Sequence, residues 1–415
     1  MATSEPRLRV AIVGSGIAGL AAARILREKH DVTVYERGEP SVETGGQGIA
    51  AFPNGTHILE SMGFDYNRAG SIEIAGWNSF DKDGKYLCSY DYDMRERYGA
   101  PFVCHMRVDF RKELLRLATA PAVDLGLVAS ASPAIPVWNN AAVDLDAEAG
   151  RITLQDGSVV EADIVIVADG VHSRLRNKIL REPVSTQKTG LECCRIAVSA
   201  ERVEEALGKL PQWWQDQRET GKGNVHTVEA VDADGTMRVL VAYPLRNFTW
   251  MNMTWIFPTR KERKSTASLW HTDGDRDEIL EIYEDFDDDL KTMLRLGDQA
   301  KLWELRDLEP LATWASGRAI LIGDAAHAMT PIQGQGGNMA LEDADALRLL
   351  TQPGVTRDSV PEVLRKIDSI RRPRATRVLM NTRSTSTVSD RYAKFDEHCS
   401  YPGIFGVIQQ QPTVA

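Results

Sequence analysis

The 415-residue sequence predicts an α/β fold: a mostly parallel sheet wrapped by helices, with an inserted mixed sheet and a helical C-terminal part. Three observations predict it. Apolar runs at 8–13, 164–168 and 319–322 each end at a glycine or an Asp-Gly turn, the pattern of strands buried on both faces. The first is followed by an Ala-, Leu- and Arg-rich stretch at 17–28 and a β-branched run at 31–35, so the unit reads β-α-β with a right-handed crossover. From about 186 to 270 the texture changes to alternating stretches such as 238–243 and 249–257, which suit a mostly antiparallel sheet.

The remaining elements follow in order. A helix is expected after Pro53, carrying Ile58, Leu59 and Met62, and another over about 108–118. Residues 123–167 read as short strands and turns, with Gln155-Asp156-Gly157-Ser158 as a hairpin turn. A helix-rich piece covers 275–296. Beyond Gly337 the chain reads as helical, ending in a loose tail that contains Gln and Pro. No internal repeat or low-complexity segment interrupts it.

Composition narrows the function classes. Hydrophobic residues make up 43% and charged residues 26%, enough apolar material for a core. The net charge of −10 argues against a large basic surface for nucleic acid or anionic lipid. In the acidic run 284–289, Asp285, Asp287 and Asp289 mimic alternate calcium ligands. Leu290, however, stands where a calcium loop needs glycine, so a solvated helix face and no metal is expected. Cys88, Cys104, Cys193, Cys194 and Cys399 are irregularly spaced, which fits free thiols in a reducing compartment. No run approaches 18 apolar residues, and the N-terminus enters a strand without a signal-peptide stretch. A soluble cytoplasmic protein without a membrane span is the expectation.

The chemistry lies in three separated signatures. Gly14-Ser15-Gly16-Ile17-Ala18-Gly19 sits between a strand and a helix, where glycine backbone lets a diphosphate approach the helix N-terminus. Glu36, followed by Arg37, ends the second strand 22 residues after Gly14, where a carboxylate can take ribose hydroxyls. Residues 164–176 form a strand, the Asp169-Gly170 turn and a basic helix start. Residues 317–327 form another strand ending in Gly323-Asp324. At these residues, in this order and spacing and over most of the chain, the sequence resembles the class A flavoprotein monooxygenases, the group of p-hydroxybenzoate and salicylate hydroxylases.

The resemblance implies a Rossmann-like FAD-binding domain of GR2 type, discontinuous over 1–75, 103–185 and 300–352. It further implies a substrate domain over 76–102 and 186–299, and a C-terminal helical segment and tail over 353–415. Asp324 would hold the ribityl or ribose part of FAD, and Asp169 would lie near the pyrophosphate and an incoming nicotinamide. Both also suit turns and helix N-caps. Arg107 matches a family arginine that touches FAD. The stretch 329–343 carries Gly334, Gly336, Gly337 and Asn338 into a helix, and its N–H groups suit negative charge near flavin N1 and O2. Pro331 resembles a proline lining the oxygen-reacting face. The loop 45–49, with Gly48 and Asn54, resembles one that lies over the flavin. His327 reads as structural.

No second GxGxxG is present; the resemblance implies that NADPH or NADH binds transiently, with a flavin that swings to meet it. The family reaction would then form a flavin C4a-hydroperoxide and hydroxylate or epoxidise an aromatic small molecule, with O2 as the second substrate. Arg195, in Cys193-Cys194-Arg195-Ile196-Ala197, resembles a substrate-facing arginine; a domain-interface salt bridge is the other reading. Tyr243 either hydrogen-bonds substrate or fills the core. Most of Trp213, Trp214, Trp250, Trp255 and Trp270 read as packing, with one or two left to stack on an aromatic ring, and Trp250 and Trp255 do not have the spacing of flavin halogenases. A reductase or desaturase of the same fold and a non-catalytic flavin sensor stay open at this point, as does a monomer against a homodimer.

Overall fold

The computed structural model describes residues 7–40, 48–261, 271–273, 276–385 and 394–410. Gly45, Gly46, Gln47, Trp270 and the last five residues of the tail lie outside them. The chain opens with β1 (Arg9–Val13), α1 (Ile17–Leu26) and β2 (Asp31–Tyr35), a parallel pair joined by one helix. Next come β3 (Gly48–Ala51), α2 (Pro53–Ser61), β4 (Ile72–Asp81), β5 (Tyr86–Asp91), α3 (Met94–Tyr98), β6 (Val103–Met106) and α4 (Arg107–Thr119). After β7 (Ile135–Val137), the meander β8 (Ala142–Asp146), β9 (Arg151–Leu154) and β10 (Val159–Glu161) turns between β9 and β10 at the expected Asp156-Gly157. β11 (Ile164–Val167) and α5 (Arg176–Leu180) close this half.

The inserted sheet is built from β12 (Gln187–Ser199), β13 (Gly223–Val231), β14 (Met237–Leu245), β15 (Trp250–Pro258), β16 (His271–Asp273) and β17 (Asp298–Asp307). It carries α6 (Ala200–Leu207), α7 (Gln212–Thr220), α8 (Arg276–Ile282) and α9 (Asp288–Leu296). The chain then returns through β18 (Ala315–Ser316), β19 (Ala319–Leu321), α10 (Asp324–His327) and α11 (Gly336–Ala346). It ends in α12 (Val360–Arg383), α13 (Phe395–Cys399) and α14 (Gly403–Gln410).

Two large sheets result. The six-stranded sheet has the order β18-β19-β11-β1-β2-β7, parallel except for β18. Its central strands are largely apolar, as suits a parallel sheet buried on both faces; all four residues of β11 are buried. The ten-stranded sheet runs β16-β17-β12-β15-β14-β13-β4-β6-β3, with β5 on β4, and is mostly antiparallel. Strands β3, β6 and β17 pair into this second sheet.

Two details differ from the sequence reading. The acidic run is a turn and a helix start: Asp285 pairs with Arg238 at 2.7 Å, and Asp287 caps α9. Residues 403–410 are helical, because Asp345 accepts from Ile404 N (2.7 Å) and Tyr401 OH (3.1 Å) and fixes the start of α14. All five cysteines are free thiols. Among the described residues no helix is long and apolar enough to cross a membrane, and no cluster of metal-ligating side chains occurs.

Candidate cofactor and active site

The order β19-β11-β1-β2 reverses direction around β1, so a crevice opens at the carboxyl ends of these strands. Every expected cofactor turn leaves a strand on that edge: Gly14 after β1, Glu36 after β2, Asp169 after β11 and Asp324 after β19. The turns are also packed on one another. A Cβ on Gly14, whose φ is +104°, would meet Ala168 O at 2.3 Å, and one on Gly19 would meet Gly14 O at 2.0 Å. Side chains are sterically excluded at both. Gly323 faces the Cβ of Ala18, which sets the Asp324 turn against the start of α1.

Whether a dinucleotide fits here is answered by the open ends. A Cβ on Gly16 would meet nothing within 4 Å, and α1 has neither a side-chain cap nor an acidic residue in its first turn. Helix α11 likewise has no side-chain cap and no acidic residue in its first turn, and a Cβ on Gly336 would come no nearer than 3.7 Å to Met329 and 4.0 Å to Asp324 Oδ1. Both helix ends therefore offer N–H groups and a positive dipole end to an anion. Asp324 is exposed at the crevice, while the buried Arg176 donates to Asp324 O (3.1 Å), Ala325 O (2.7 Å) and Val171 O (3.1 Å), tying two of the motif turns together. Asp169 accepts from Arg174 N at 3.1 Å, and its buried Oδ1 has no hydrogen-bond partner among the described residues. Burial pushes its carboxyl up.

Glu36 is held by three donors: Ser15 N (2.8 Å) and Ser15 Oγ (2.9 Å) on Oε2, and Gly38 N (2.9 Å) on Oε1. Burial pushes its pKa up, but these hydrogen bonds outweigh it and the carboxyl titrates below its ordinary value. Arg37 follows it beside β2. Asn338 spends its side chain on structure: Oδ1 accepts from Phe52 N (2.9 Å), and Nδ2 donates to Gly334 O (2.9 Å). Its third-position N–H on α11 is what remains for a ligand. Gly334, at φ +66°, leaves no room for a Cβ beside the Phe52 ring, and Pro331 starts the short 3-10 turn before it.

His327 is buried with Nε2 2.6 Å from Asp343 Oδ2, an oxygen that also accepts from Gly323 N at 2.9 Å. It braces the Asp324 turn, the structural role expected. Asn54 likewise joins a buried network, donating to Glu342 (2.8 Å) and Gln335 (3.1 Å), while Arg371 and Arg374 neutralise Glu342.

The ten-stranded sheet supplies the opposite wall. Along β12, Cys194, Ile196 and Val198 face the core beneath α6–α9, with Met253 and Trp255 of β15 and Ala242 of β14. Alternation therefore turns Arg195, Ala197, Asn252, Thr254, Val241 and Tyr243 to the other face. On that face Tyr243 crowds Gly48: a Cβ there would sit 2.5 Å from the ring. Asn252, which the sequence reading missed, accepts from Gly48 N at 2.7 Å. Only the strand register brings these residues together, so no local signal could have found Asn252.

Arg195 lies over the Trp303 ring at 5.9 Å. Burial depresses the Arg107 guanidinium, the nearby Arg195 charge adds to this, and Asp324 opposes it. Arg195, Arg107 and Asp324 thus share one electrostatic neighbourhood. Burial also raises the Tyr243 hydroxyl well above its ordinary range, so it stays a neutral donor. Trp214 and Trp255 are core, and Trp213 stacks on His226 at 4.3 Å.

Residues 137–382 match a family described as FAD binding domain, and residues 9–107 match one described as FAD dependent oxidoreductase. The chain belongs to the FAD-dependent monooxygenases. It is 30% identical to hispidin-3-hydroxylase of Neonothopanus nambi over 90% of this chain and 87% of that one. To 3-amino-4-hydroxybenzoate 2-monooxygenase of Streptomyces cremeus it is 28% identical, over 89% and 85%. A salicylate hydroxylase substrate complex superposes with a TM-score of 0.70 at 26% identity, covering 94% and 93%. This monooxygenase therefore uses FAD, as the open helix ends and glycine turns suit, and the reductase and sensor alternatives fall away.

Proposed function

We propose that this monooxygenase takes electrons from NADPH or NADH and places one atom of O2 on an aromatic small molecule bound between the Arg107–Asp324 edge and the Arg195–Tyr243 face. When bound, FAD supplies the hydride acceptor and, once reduced, the oxygen activation. The observation that carries the reading is the convergence of Arg195 and Tyr243 on the sheet face turned away from the apolar core, within electrostatic reach of Arg107 and Asp324.

The proposed roles follow from position. Gly14, Gly16, Ala18 and Gly19 cradle the diphosphate, with Glu36 and Arg37 at the adenosine ribose. Asp324 accepts from sugar hydroxyls, and Arg107 and Asp169 flank the diphosphate. Gly48, Pro331, Gly334, Gly336, Gly337 and Asn338 border the flavin ring. Arg195 stabilises a phenolate or developing oxyanion, and the neutral Tyr243 hydroxyl orients it. The crowded contact among Gly48, Tyr243 and Asn252 helps keep water out. Near Asp169, His172 is pushed down by burial and then by Arg306, Arg37 and Arg176. That positive region supports the approach of an anionic nicotinamide nucleotide. The division into cofactor (1–75, 103–185, 300–352), substrate (76–102, 186–299) and C-terminal (353–415) parts stands as part of this proposal, with β4 and β17 running across its boundaries and β3 and β6 pairing into the ten-stranded sheet.

The test is NADPH and NADH consumption in air with a panel of phenols, aminophenols and indoles, read against peroxide release. Consumption matched by hydroxylated product is expected with at least one aromatic class. Consumption that yields only peroxide across the panel, or that proceeds without O2, would overturn the proposal.

A further inference from the structure

Of the three arginines on helix α4, Arg107 and Arg111 lie one turn apart, and only Arg107 has a part in the reading above. The second, Arg111, reaches the phosphate-binding turn itself. Its Nε donates to Ser15 O at 3.0 Å and its Nη2 to Ser15 Oγ at 2.7 Å, while its guanidinium lies over the Trp138 ring at 5.7 Å. Ser15 N and Oγ in turn donate to Glu36. One serine between Gly14 and Gly16 is thus shared by a cation and a carboxylate.

The arrangement answers an electrostatic problem. Hydrogen bonds hold Glu36 ionised at the end of β2, beside the turn where a diphosphate would rest. A fixed carboxylate repels that anion. Burial pushes the Arg111 pKa down and the charge of Glu36 pushes it back up, which marks the two as an interacting pair. Trp138, one residue past β7, lies against the guanidinium, whose fork bridges the backbone and side-chain oxygens of Ser15.

We infer that Arg111 is a positioning residue for the adenosine-diphosphate half of the cofactor. It locks the Ser15 turn and offsets the charge of Glu36, so that one carboxylate takes ribose hydroxyls without repelling the adjacent phosphates. The inference rests on the proposed placement of Glu36 at the adenosine ribose.

The test is FAD affinity, read from flavin fluorescence as the full-length holoenzyme is diluted, for Arg111→Ala, Arg111→Lys, Glu36→Gln and the Arg111→Ala/Glu36→Gln double variant. Arg111→Ala should bind FAD at least about tenfold more weakly, as loss of a charge-assisted contact predicts. Arg111→Lys keeps the charge but not the fork and should recover part of that loss. The double variant should lose less than the product of the single losses, because a neutral Glu36 leaves no charge to offset. Multiplicative losses, Arg111→Lys as weak as Arg111→Ala, or Arg111→Ala at parental affinity beside a weakened Glu36→Gln would each overturn the inference. Glu36→Gln at parental affinity would instead overturn the adenosine-end reading on which it rests.

Discussion

At the scale of single residues, the site depends on groups whose local sequence is informative and groups whose partners arrive from far away. Asp324 belongs to the first kind. It follows a glycine at φ +60°, stands exposed at the crevice, and its turn is held by Arg176 and by the His327–Asp343 pair. If its carboxylate accepts from the cofactor's sugar hydroxyls, Asp324→Ala loses a charge-assisted bond of about 1.5–3 kcal/mol. The variant should then be yellow only with added FAD; full flavin content after extensive dialysis would remove the assignment. Arg195 belongs to the second kind, since the sheet face it occupies is set by strand register. Arg195→Gln should still take up FAD and consume NADPH or NADH, but release more peroxide and less hydroxylated product. The interface alternative predicts a lower thermal midpoint with coupling intact, so measuring both quantities separates them.

At the scale of elements, α4 and the β14–β15 hairpin form the joint between the two sheets. Asp109, two residues after Arg107, holds Arg246 at 2.6 and 3.0 Å in a two-pronged ion pair. Arg246 begins a run of three non-glycine residues in the left-handed region: Arg246 at φ 46°, Asn247 at 54° and Phe248 at 65°. Such backbone persists only where its surroundings over-determine it. Here Asp109 holds one end, and Trp214 Nε1 donates to Phe248 O at 3.1 Å at the other. Asp109→Ala should lower stability by about 1 kcal/mol, a modest figure because Arg246 is partly exposed. A double-mutant cycle with Arg246→Ala in a denaturant titration should show non-additivity. Additive losses would mean that the pair does not hold the turn.

At the scale of the whole molecule, burial of histidines makes stability depend on acid. His105 is pushed down to about 3, and His226 and His398 to about 4, each first by desolvation. His226 lies between the rings of Phe80 at 4.6 Å and Trp213 at 4.3 Å. Their folded values lie below the unfolded value of about 6.5, so their contribution is fully present above that pH. It is lost as pH falls toward 4, where the unfolded chain binds protons that the folded chain does not. The thermal midpoint should be flat above about pH 7 and decline between about pH 6.5 and 4. His226→Phe should make that decline shallower. An unchanged slope in the variant would show that His226 does not titrate on unfolding.

The sequence by itself determined the parts that short-range chemistry fixes. Short apolar runs ending in glycine fit buried parallel strands, and the turns at Gly14–Gly19, Asp169-Gly170 and Gly323-Asp324 carry their geometry in the residues themselves. The β-α-β unit, the antiparallel insert and a dinucleotide site were legible for that reason, while FAD itself was implied by the family resemblance. Tertiary structure alone decided which strands share a sheet, because pairing is a choice among distant partners of similar propensity: β3, β6 and β17 join the ten-stranded sheet, which composition does not reveal. It also decided that Asn252 binds Gly48 across 204 residues, that Arg111 grips Ser15 across 96, and that Asn338 is spent on Phe52. Contacts between residues so far apart exist only once register and packing are set.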